Sequence, residues 1–81
     1  MSKLGDQIAL QDTYESYKLS DADESGATYY YYGYTDKEGK WFIMRAKNDN
    51  TEYRYVAGDS AYTTAWTNRA SQSYDYFYTI F

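Results

Sequence analysis

The stretch ATYYYYGYTDKEGKWFIMRAK, residues 27–47, decides the fold that the sequence predicts for this chain. Its two halves, residues 28–35 and 40–47, are rich in the aromatic and β-branched side chains that are enriched in strands. The turn between them ends in Gly39, and glycine readily adopts the positive φ that a short hairpin loop requires. We therefore predict a β-hairpin.

The chain continues past this hairpin with a second polar turn at residues 48–50 and a third strand-like run at residues 51–57. Asp59 or Ser60 can then cap a short helix. One face of this helix would carry the residues at i, i+3, i+4 and i+7, which are Tyr62, Ala65, Trp66 and Arg69. The alternation at residues 73–80 predicts a last strand. The predicted fold class is mainly β: a small antiparallel sheet of about four strands (a meander plus a final strand), with one short helix before the last strand.

Charge divides the chain into two parts. Residues 1–26 contain six acids and two bases, a net charge of −4, whereas residues 27–81 contain six of each and are neutral. The first part has an excess of negative charge and no sustained helical or strand period, which is typical of an irregular segment. We therefore predict an acidic N-terminal arm at residues 1–26 and a compact aromatic-rich β domain at residues 27–81.

The residue types that are missing exclude several kinds of site. The chain has no histidine and no cysteine, so the common nucleophile–base pairs, the common zinc sites and disulfides cannot be built from it. A carboxylate pair such as Glu38 and Asp75 could cleave a glycoside, but no spacing singles that pair out. No glycine-rich phosphate loop and no apolar run of roughly 20 residues is present. The sequence predicts a protein that is not an enzyme, uses no cofactor and has no membrane partner.

The strand predicted at residues 40–47 carries large apolar side chains on both faces. Its period of two puts Trp41, Ile43 and Arg45 on one face, and Phe42, Met44 and Ala46 on the other. A sheet with one face in water would show polar residues on that face. The second face is therefore expected to meet the helix, the arm or another molecule.

Tyrosine, of which the chain has 13 residues, predicts a binding surface. Its rigid ring and hydroxyl group are enriched at interfaces, but the same ring also suits a half-buried strand and packs across strands. The candidates for core or interface are Tyr29, Tyr30, Tyr31, Tyr32, Tyr34, Trp41, Trp66, Tyr74, Tyr76 and Tyr78. Exposed rings among them would form a protein interface or a platform for sugar rings, so a small carbohydrate-binding module is the alternative function.

Two other patterns concern ionic ligands. Residues 21–26, DADESG, match the first half of a calcium loop, but position twelve would be Tyr32, which cannot supply the required carboxylate. Arginines interleave with rings as in single-strand nucleic-acid binders, and the set is Arg45, Arg54, Arg69, Tyr53, Tyr55 and Trp66. The net charge of −4 argues against a phosphate-binding surface. These arginines are expected to pair with Glu52, Asp59 or Asp75, or to stack on tyrosines.

A longer pattern runs from Tyr31 to Phe81 and leaves residues 1–26 unmatched. It comprises Tyr-Tyr-Gly-Tyr at 31–34, Asp36, Gly39, Trp41, Ile43-Met44-Arg45, Arg54-Tyr55, Gly58, Tyr62, Ala65-Trp66-Thr67-Asn68-Arg69-Ala70, Tyr74-Asp75-Tyr76-Phe77 and Phe81. In this order the residues resemble small tyrosine-rich structural proteins from the virions of tailed bacteriophages. The resemblance implies a virion component, such as a tail or baseplate protein or a capsid accessory, assembled in the host cytoplasm. Its partners would be other structural proteins or copies of itself.

Overall fold

A computed structural model describes residues 17–81 of the chain. Four strands form one antiparallel sheet in the order β1-β2-β3-β4. They are β1 (Lys18–Asp23), β2 (Tyr29–Thr35), β3 (Trp41–Lys47) and β4 (Tyr53–Gly58). A helix α1 (Tyr62–Thr67), a 3-10 turn (Arg69–Ser71) and a short helix α2 (Phe77–Ile80) follow. The predicted mainly β class, with a small four-stranded antiparallel sheet and a short helix after the meander, is confirmed.

The central hairpin forms where the sequence predicts it. Strands β2 and β3 pair without a shift from Thr35↔Trp41 to Tyr29↔Lys47. Gly39 has a φ of 92° in the connecting turn. The Asp36 side chain closes this turn, because its Oδ1 accepts hydrogen bonds from the backbone amides of Glu38 and Lys40, both at 2.9 Å. The side chain thus satisfies two amides that the ladder leaves without partners.

The fourth strand of the sheet is not the one predicted. Residues 73–80 pair with the sheet at a single bridge, Tyr55↔Asp75, and then turn into helix α2. The strand prediction for these residues is wrong because Phe77 and Phe81, four residues apart, meet on one side of a helical turn with their ring centroids 4.8 Å apart.

The fourth strand comes instead from the segment predicted as an acidic arm. Strand β1 pairs with β2 from Lys18↔Thr35 to Asp23↔Tyr31, with a bulge between Leu19 and Asp21. The arm boundary at residue 26 therefore does not separate the sheet from what precedes it. Residues 1–16 of the predicted arm lie outside the described residues.

The strand register divides the side chains of the sheet between two faces. Face A carries Tyr31 and Gly33 of β2, Trp41, Ile43 and Arg45 of β3, and Arg54 and Val56 of β4. Helix α1 packs on this face, and Trp41, Ile43 and Ala65 form the buried core there. The opposite side, face B, carries Tyr30, Tyr32, Tyr34, Phe42, Met44, Ala46, Tyr53 and Tyr55. The predicted split of residues 41–46 between two faces is thus the observed one.

Helix α1 lies very close to the sheet. Its predicted inner side faces the core, since Ala65 is buried and both Tyr62 and Trp66 pack against that cluster. Gly33 makes this approach possible, because a Cβ there would overlap the Tyr62 hydroxyl and come within 2.9 Å of the Trp66 ring. The helix does not use the predicted caps: the N-cap is Ala61, in the left-handed conformation with a φ of 59°. Ser60 instead accepts a hydrogen bond through its backbone carbonyl from Trp41 Nε1 at 2.6 Å.

Candidate aromatic interface

Phe42 is the centre of a ring cluster on face B. Its ring stacks on Tyr34 with a centroid separation of 4.5 Å and an interplanar angle of 15°. Two further rings meet it edge-on, Tyr17 at 5.0 Å and Phe81 at 5.3 Å. Edge-on and offset-stacked arrangements are the favourable geometries for aromatic pairs. The cluster therefore joins the start of the described chain, the sheet and helix α2.

An open groove of about 250 Å³ lies beside this cluster. Its lining consists of uncharged side chains from three strands and one helix: Tyr34, Phe42, Met44, Tyr55 and Phe77. Strand alternation brings the first four together, because they occupy neighbouring positions on face B of β2, β3 and β4. The Phe77 ring reaches the groove from α2 and meets Tyr55 edge-on at 5.2 Å. The groove is suited to an uncharged, largely apolar group.

Several large apolar or aromatic side chains around the groove and on the C-terminal segment are exposed. The exposed fractions are 57% for Leu19, 43% for Tyr53, 47% for Tyr76, 79% for Tyr78 and 44% for Phe81. Single exposed apolar residues are common on monomers, but a group of them beside an apolar groove is typical of an interaction surface. Leu19 and Tyr53 lie on face B at the two edges of the sheet, so this surface extends across its width.

The C-terminal segment passes from one face of the sheet to the other around the edge of β4. Tyr74 packs on face A, with its ring 6.1 Å from that of Tyr31 and its hydroxyl donating to the Arg69 carbonyl at 2.8 Å. Asp75 then exchanges two backbone hydrogen bonds with Tyr55, at 2.7 and 2.9 Å. Phe77 follows on face B. Burial of Tyr74 raises the pKa of its hydroxyl. The bridge at Asp75 covers part of the outer edge of β4, which reduces the backbone available for pairing with another chain.

Arginines stack on aromatic rings across face A. The Arg45 guanidinium lies 4.3 Å from the Tyr29 centroid and 4.9 Å from the Tyr74 centroid. Arg69 lies 4.5 Å from the Trp66 ring, and Arg54 lies 4.1 Å from the Tyr76 ring. Arg54 also pairs with Glu52 at 3.4 Å, one of the pairings expected from the sequence. Arg69 pairs instead with Asp23 at 2.8 Å.

The acids of the calcium-like segment bind other parts of the protein. Asp21 Oδ2 accepts a hydrogen bond from the Tyr62 hydroxyl at 2.7 Å, and Asp23 Oδ2 accepts two from Arg69 at 2.8 and 3.1 Å. Hydrogen bonds from Ser25 and from Arg69 lower the pKa of Asp23 to about 2. Within residues 17–81, no group of three or more acidic side chains is arranged to hold a metal ion. These carboxylates connect β1 to helix α1 and the 3-10 turn.

Glu24 makes a third such contact on the other side of the sheet. The Tyr32 hydroxyl donates a hydrogen bond to Glu24 Oε2 at 2.6 Å, and this bond raises the pKa of Tyr32 to about 12. Tyr32 lies on face B, opposite Met44 in the register. The acidic segment thus contributes a polar contact to the border of the aromatic surface.

The interleaved set considered for nucleic-acid binding is divided between the two faces. Arg45 and Arg54 lie on face A, whereas Tyr53 and Tyr55 point to face B. Arg69 and Trp66 stack on each other, but Arg69 is already paired with Asp23. The six residues therefore do not form one strip of alternating rings and cations.

The ten candidate aromatic residues also separate into groups. Trp41 is buried, and Trp66, Tyr29, Tyr31 and Tyr74 are half-buried on face A. Tyr30, Tyr32 and Tyr34 are half-buried on face B, while Tyr76 and Tyr78 are exposed, with their rings stacked at 5.6 Å. Of the groove residues that were not among the candidates, Phe42 and Met44 could be found from strand alternation. Phe77 could be found only by reading its spacing from Phe81 as helical.

Comparisons with protein-family models, with curated protein sequences and with solved structures found no match to this chain. The resemblance to bacteriophage structural proteins therefore stays a prediction. None of the helices within residues 17–81 has the length and apolar character needed to cross a membrane.

Proposed function

We propose that this protein is a non-enzymatic structural protein that binds neighbouring subunits through the aromatic surface of face B. The observation that carries the proposal is the uncharged groove lined by Tyr34, Phe42, Met44, Tyr55 and Phe77, with exposed Leu19 and Tyr53 at the sheet edges. Because residues 31–81 resemble bacteriophage structural proteins, the proposed role is that of a minor virion component: a tail protein, a baseplate protein or a capsid accessory. Its partners are copies of itself or other structural proteins.

Small size supports this function in physical terms. A chain of 81 residues buries only about 60–65% of the surface its unfolded form exposes, and it has no disulfide to compensate. Ile43 is the one large side chain among the described residues that is fully buried. Subunits in a repeated assembly bury aromatic surface on their neighbours, and this stabilises the folded chain by mass action.

Sedimentation velocity over a range of protein concentrations tests the proposal directly. The wild-type chain is expected to associate as concentration rises, or to co-purify with other virion proteins. Leu19→Ser together with Tyr53→Ser removes exposed apolar surface from both edges of face B and is expected to weaken that association. Tyr78→Ser is the matched control, because this exposed ring lies outside the groove.

Two outcomes would count against this proposal. A wild-type chain that stays monomeric at high concentration and binds no virion protein contradicts the proposal. Loss of association in Tyr78→Ser alone moves the contact surface from face B to the C-terminal pair of rings. Circular dichroism of each variant shows whether the fold is retained.

The stacked pair of Tyr76 and Tyr78 favours the alternative function, a small carbohydrate-binding module. The two rings are separated by 5.6 Å with an interplanar angle of 6°, and Tyr78 is 79% exposed, so one ring face is open. An amphipathic ring of this kind can pack against the apolar side of a sugar. A glycan-array screen of wild type and Tyr78→Ser tests it: a binder that the substitution removes supports the module, and no binder at all contradicts it.

A further inference from the structure

The two edges of the sheet differ in what covers them. On the outer side of β4, the Tyr55 amide and carbonyl are bonded to Asp75. The Tyr53 carbonyl accepts a hydrogen bond from Arg54 Nη1 at 2.9 Å. Strand β1 pairs with β2 on its inner side, but no other hydrogen bond within residues 17–81 involves the backbone of Lys18–Asp23. Free backbone groups at a sheet edge are a template for pairing with another strand, so β1 is the edge at which the sheet can be extended.

The acids of β1 do not prevent pairing at this edge. Charged side chains on an edge strand usually do so, because two such strands repel each other. Both carboxylates of β1 are bound within their own chain, Asp21 to the Tyr62 hydroxyl and Asp23 to Arg69. Together with Arg69, the strand carries two positive and two negative charges, so two copies of it meet without net repulsion.

The bulge in β1 changes which faces its side chains occupy. In a regular strand, residues an odd number of positions apart point to opposite faces. Lys18 and Asp23 are five positions apart, yet the register puts both on face A, because the bulge shifts the alternation by one residue. Ser20 and Asp21 point to the same side, since Ser20 Oγ donates a hydrogen bond of 3.0 Å to Asp21 Oδ2. The strand therefore presents the same order of faces when it is turned end to end.

We infer that β1 pairs antiparallel with β1 of a second copy of this chain, around a two-fold axis between Ser20 and Asp21. This register pairs all six residues of the strand. In every pair both side chains lie on the same face, as directly opposed residues of an antiparallel ladder do. The pairs, each formed twice, are Lys18 with Asp23, Leu19 with Ala22, and Ser20 with Asp21. The product is one continuous sheet of eight strands.

Each of these pairs is chemically complementary. A cation lies opposite a carboxylate in the first pair, two apolar side chains meet in the second, and a hydroxyl lies opposite a carboxylate in the third. Opposite charges and apolar groups in directly opposed positions stabilise a sheet. Leu19 is 57% exposed, and 24% of the Asp23 side chain stays exposed beside Arg69, so both are accessible to the second copy.

A second β1 fits this edge better than β4 of a neighbour does. Contacts between β1 and β4 would repeat without closing and extend the sheet into a filament, and the outer side of β4 is occupied at Tyr55 by Asp75. A contact of β1 with β1 uses the same surface on both copies and closes as a dimer. Its two-fold axis is perpendicular to the sheet, so both copies have face B on the same side. The inference does not depend on the proposed contact through face B, but it doubles the aromatic surface available for that contact.

Disulfide cross-linking between single-cysteine variants of the full chain tests this register, because the chain has no cysteine of its own. Position 19 lies opposite position 22 of the second copy, within the roughly 7 Å between Cα atoms that a disulfide can span. Two copies of position 19, or two of position 22, are displaced by three residues along the ladder, about 10 Å. A mixture of Leu19→Cys and Ala22→Cys is expected to form cross-linked dimer roughly 10-fold faster than either variant alone, as measured by non-reducing gel electrophoresis.

The matched control for the cross-link is Lys37→Cys, in the exposed turn between β2 and β3. Its mixture with Ala22→Cys brings two thiols together only by random collision. We therefore expect this mixture to cross-link as slowly as the single variants do. Circular dichroism of each variant shows whether the fold is retained.

A charge variant tests the same contact without changing positions 19 and 22. Lys18→Asp places two carboxylates opposite each other at both ends of the paired strands, and it is expected to weaken association in sedimentation velocity roughly 10-fold. Lys37→Asp is its control, because it makes the same change of charge away from the edge, and it is expected to alter association less than about twofold. Equal association of Lys18→Asp and Lys37→Asp would contradict the pairing of β1 with β1.

The results distinguish failure of the inference from failure of the proposed function. Cross-linking in the mixture that is no faster than in the Lys37→Cys control overturns the inference. Leu19→Cys that cross-links alone as fast as the mixture also overturns it, because position 19 then meets itself across face B. In both cases, association that Tyr53→Ser weakens leaves the proposed function intact.

The opposite combination is equally informative. Fast cross-linking in the mixture, with association that Tyr53→Ser leaves unchanged, supports the inference and counts against face B as the contact surface. A wild-type chain that stays monomeric and binds no virion protein, with no cross-link in the mixture, contradicts both.

Discussion

The Tyr62 hydroxyl on helix α1 donates a hydrogen bond of 2.7 Å to Asp21 Oδ2 in strand β1, although the two residues are 41 positions apart in the sequence. Asp23 in the same strand binds Arg69, at the end of the helical segment, at 2.8 Å. Together these contacts hold the acidic edge strand to the element that covers face A. Burial and the carboxylate of Asp21 both raise the pKa of Tyr62.

Tyr62→Phe keeps the ring on the core and removes this hydrogen bond. We expect the free energy of unfolding to fall by about 1 to 2 kcal/mol, as for loss of a hydrogen bond to a charged group. Urea denaturation followed by circular dichroism measures the change. The matched control is Tyr53→Phe, whose exposed hydroxyl makes a longer bond of 3.3 Å to Asn50. If Tyr53→Phe lowers the free energy of unfolding as much as Tyr62→Phe does, the hydrogen bond to Asp21 is not what stabilises the fold.

Gly33→Ala tests how closely helix α1 approaches the sheet. The added methyl group would overlap the Tyr62 hydroxyl and lie 2.9 Å from the Trp66 ring. We expect a loss of about 1 to 3 kcal/mol, the usual cost of overpacking, measured as a lower thermal midpoint. Gly39→Asn is the control, since Gly39 has a φ of 92° in open space and asparagine tolerates positive φ better than other residues do. Equal destabilisation by both substitutions would argue against the close packing of α1 on β2.

Asp23 makes stability depend on acid pH. Hydrogen bonds from Ser25 and Arg69 lower its folded pKa to about 2, below the value of about 3.9 for an unfolded aspartate. Its contribution is therefore complete above about pH 5 and is lost as pH falls towards about 2. We expect the difference in thermal midpoint between wild type and Asp23→Asn to shrink over this window. A difference for Asp23→Asn that stays constant over this window would refute the prediction.

Tyr32 makes the free energy of unfolding depend on pH in the alkaline range, where its contribution is lost as pH rises. Its hydrogen bond to Glu24 raises the folded pKa to about 12, above the value of about 10 for an unfolded tyrosine. The contribution is therefore complete below about pH 10 and is lost between about pH 10 and 12. Glu24→Gln is expected to lower the pKa of Tyr32, measured from its ring carbon resonances by NMR. An unchanged Tyr32 titration in Glu24→Gln would show that the hydrogen bond is not the cause.

Phe81→Ala tests the attachment of helix α2 to face B. The Phe81 ring meets Phe42 edge-on at 5.3 Å and packs on Phe77 at 4.8 Å, yet it is 44% exposed. We expect a loss of about 1 to 2 kcal/mol, less than for a fully buried ring. Tyr78→Ala, at a ring that is 79% exposed, is the control and should change stability by less than about 0.5 kcal/mol. If Phe81→Ala and Tyr78→Ala lower the free energy of unfolding equally, the contacts with Phe42 do not hold helix α2 on face B.

The sequence by itself determined the central hairpin, the third strand of the meander and the inner side of helix α1. Each depends on local features: the ring-rich runs of β2 and β3, the glycine at position 39, and the helical spacing of Tyr62, Ala65 and Trp66. The alternation of residues 41–46 also predicted that both faces of β3 would be covered or in contact. These patterns are local because hairpin turns and amphipathic periods involve residues close in sequence.

Tertiary structure alone decided which segment completes the sheet and how the rings and charges are shared between faces. Strand β1 is polar and acidic, so composition assigned it to an arm, but its carboxylates find partners in Tyr62 and Arg69, more than 40 residues away in sequence. The last segment alternates like a strand, yet the contacts of Phe77 and Phe81 with β4 and Phe42 favour a helical turn. A single sequence does not show such long-range partners, because they depend on which surfaces the hairpin leaves uncovered once it has formed.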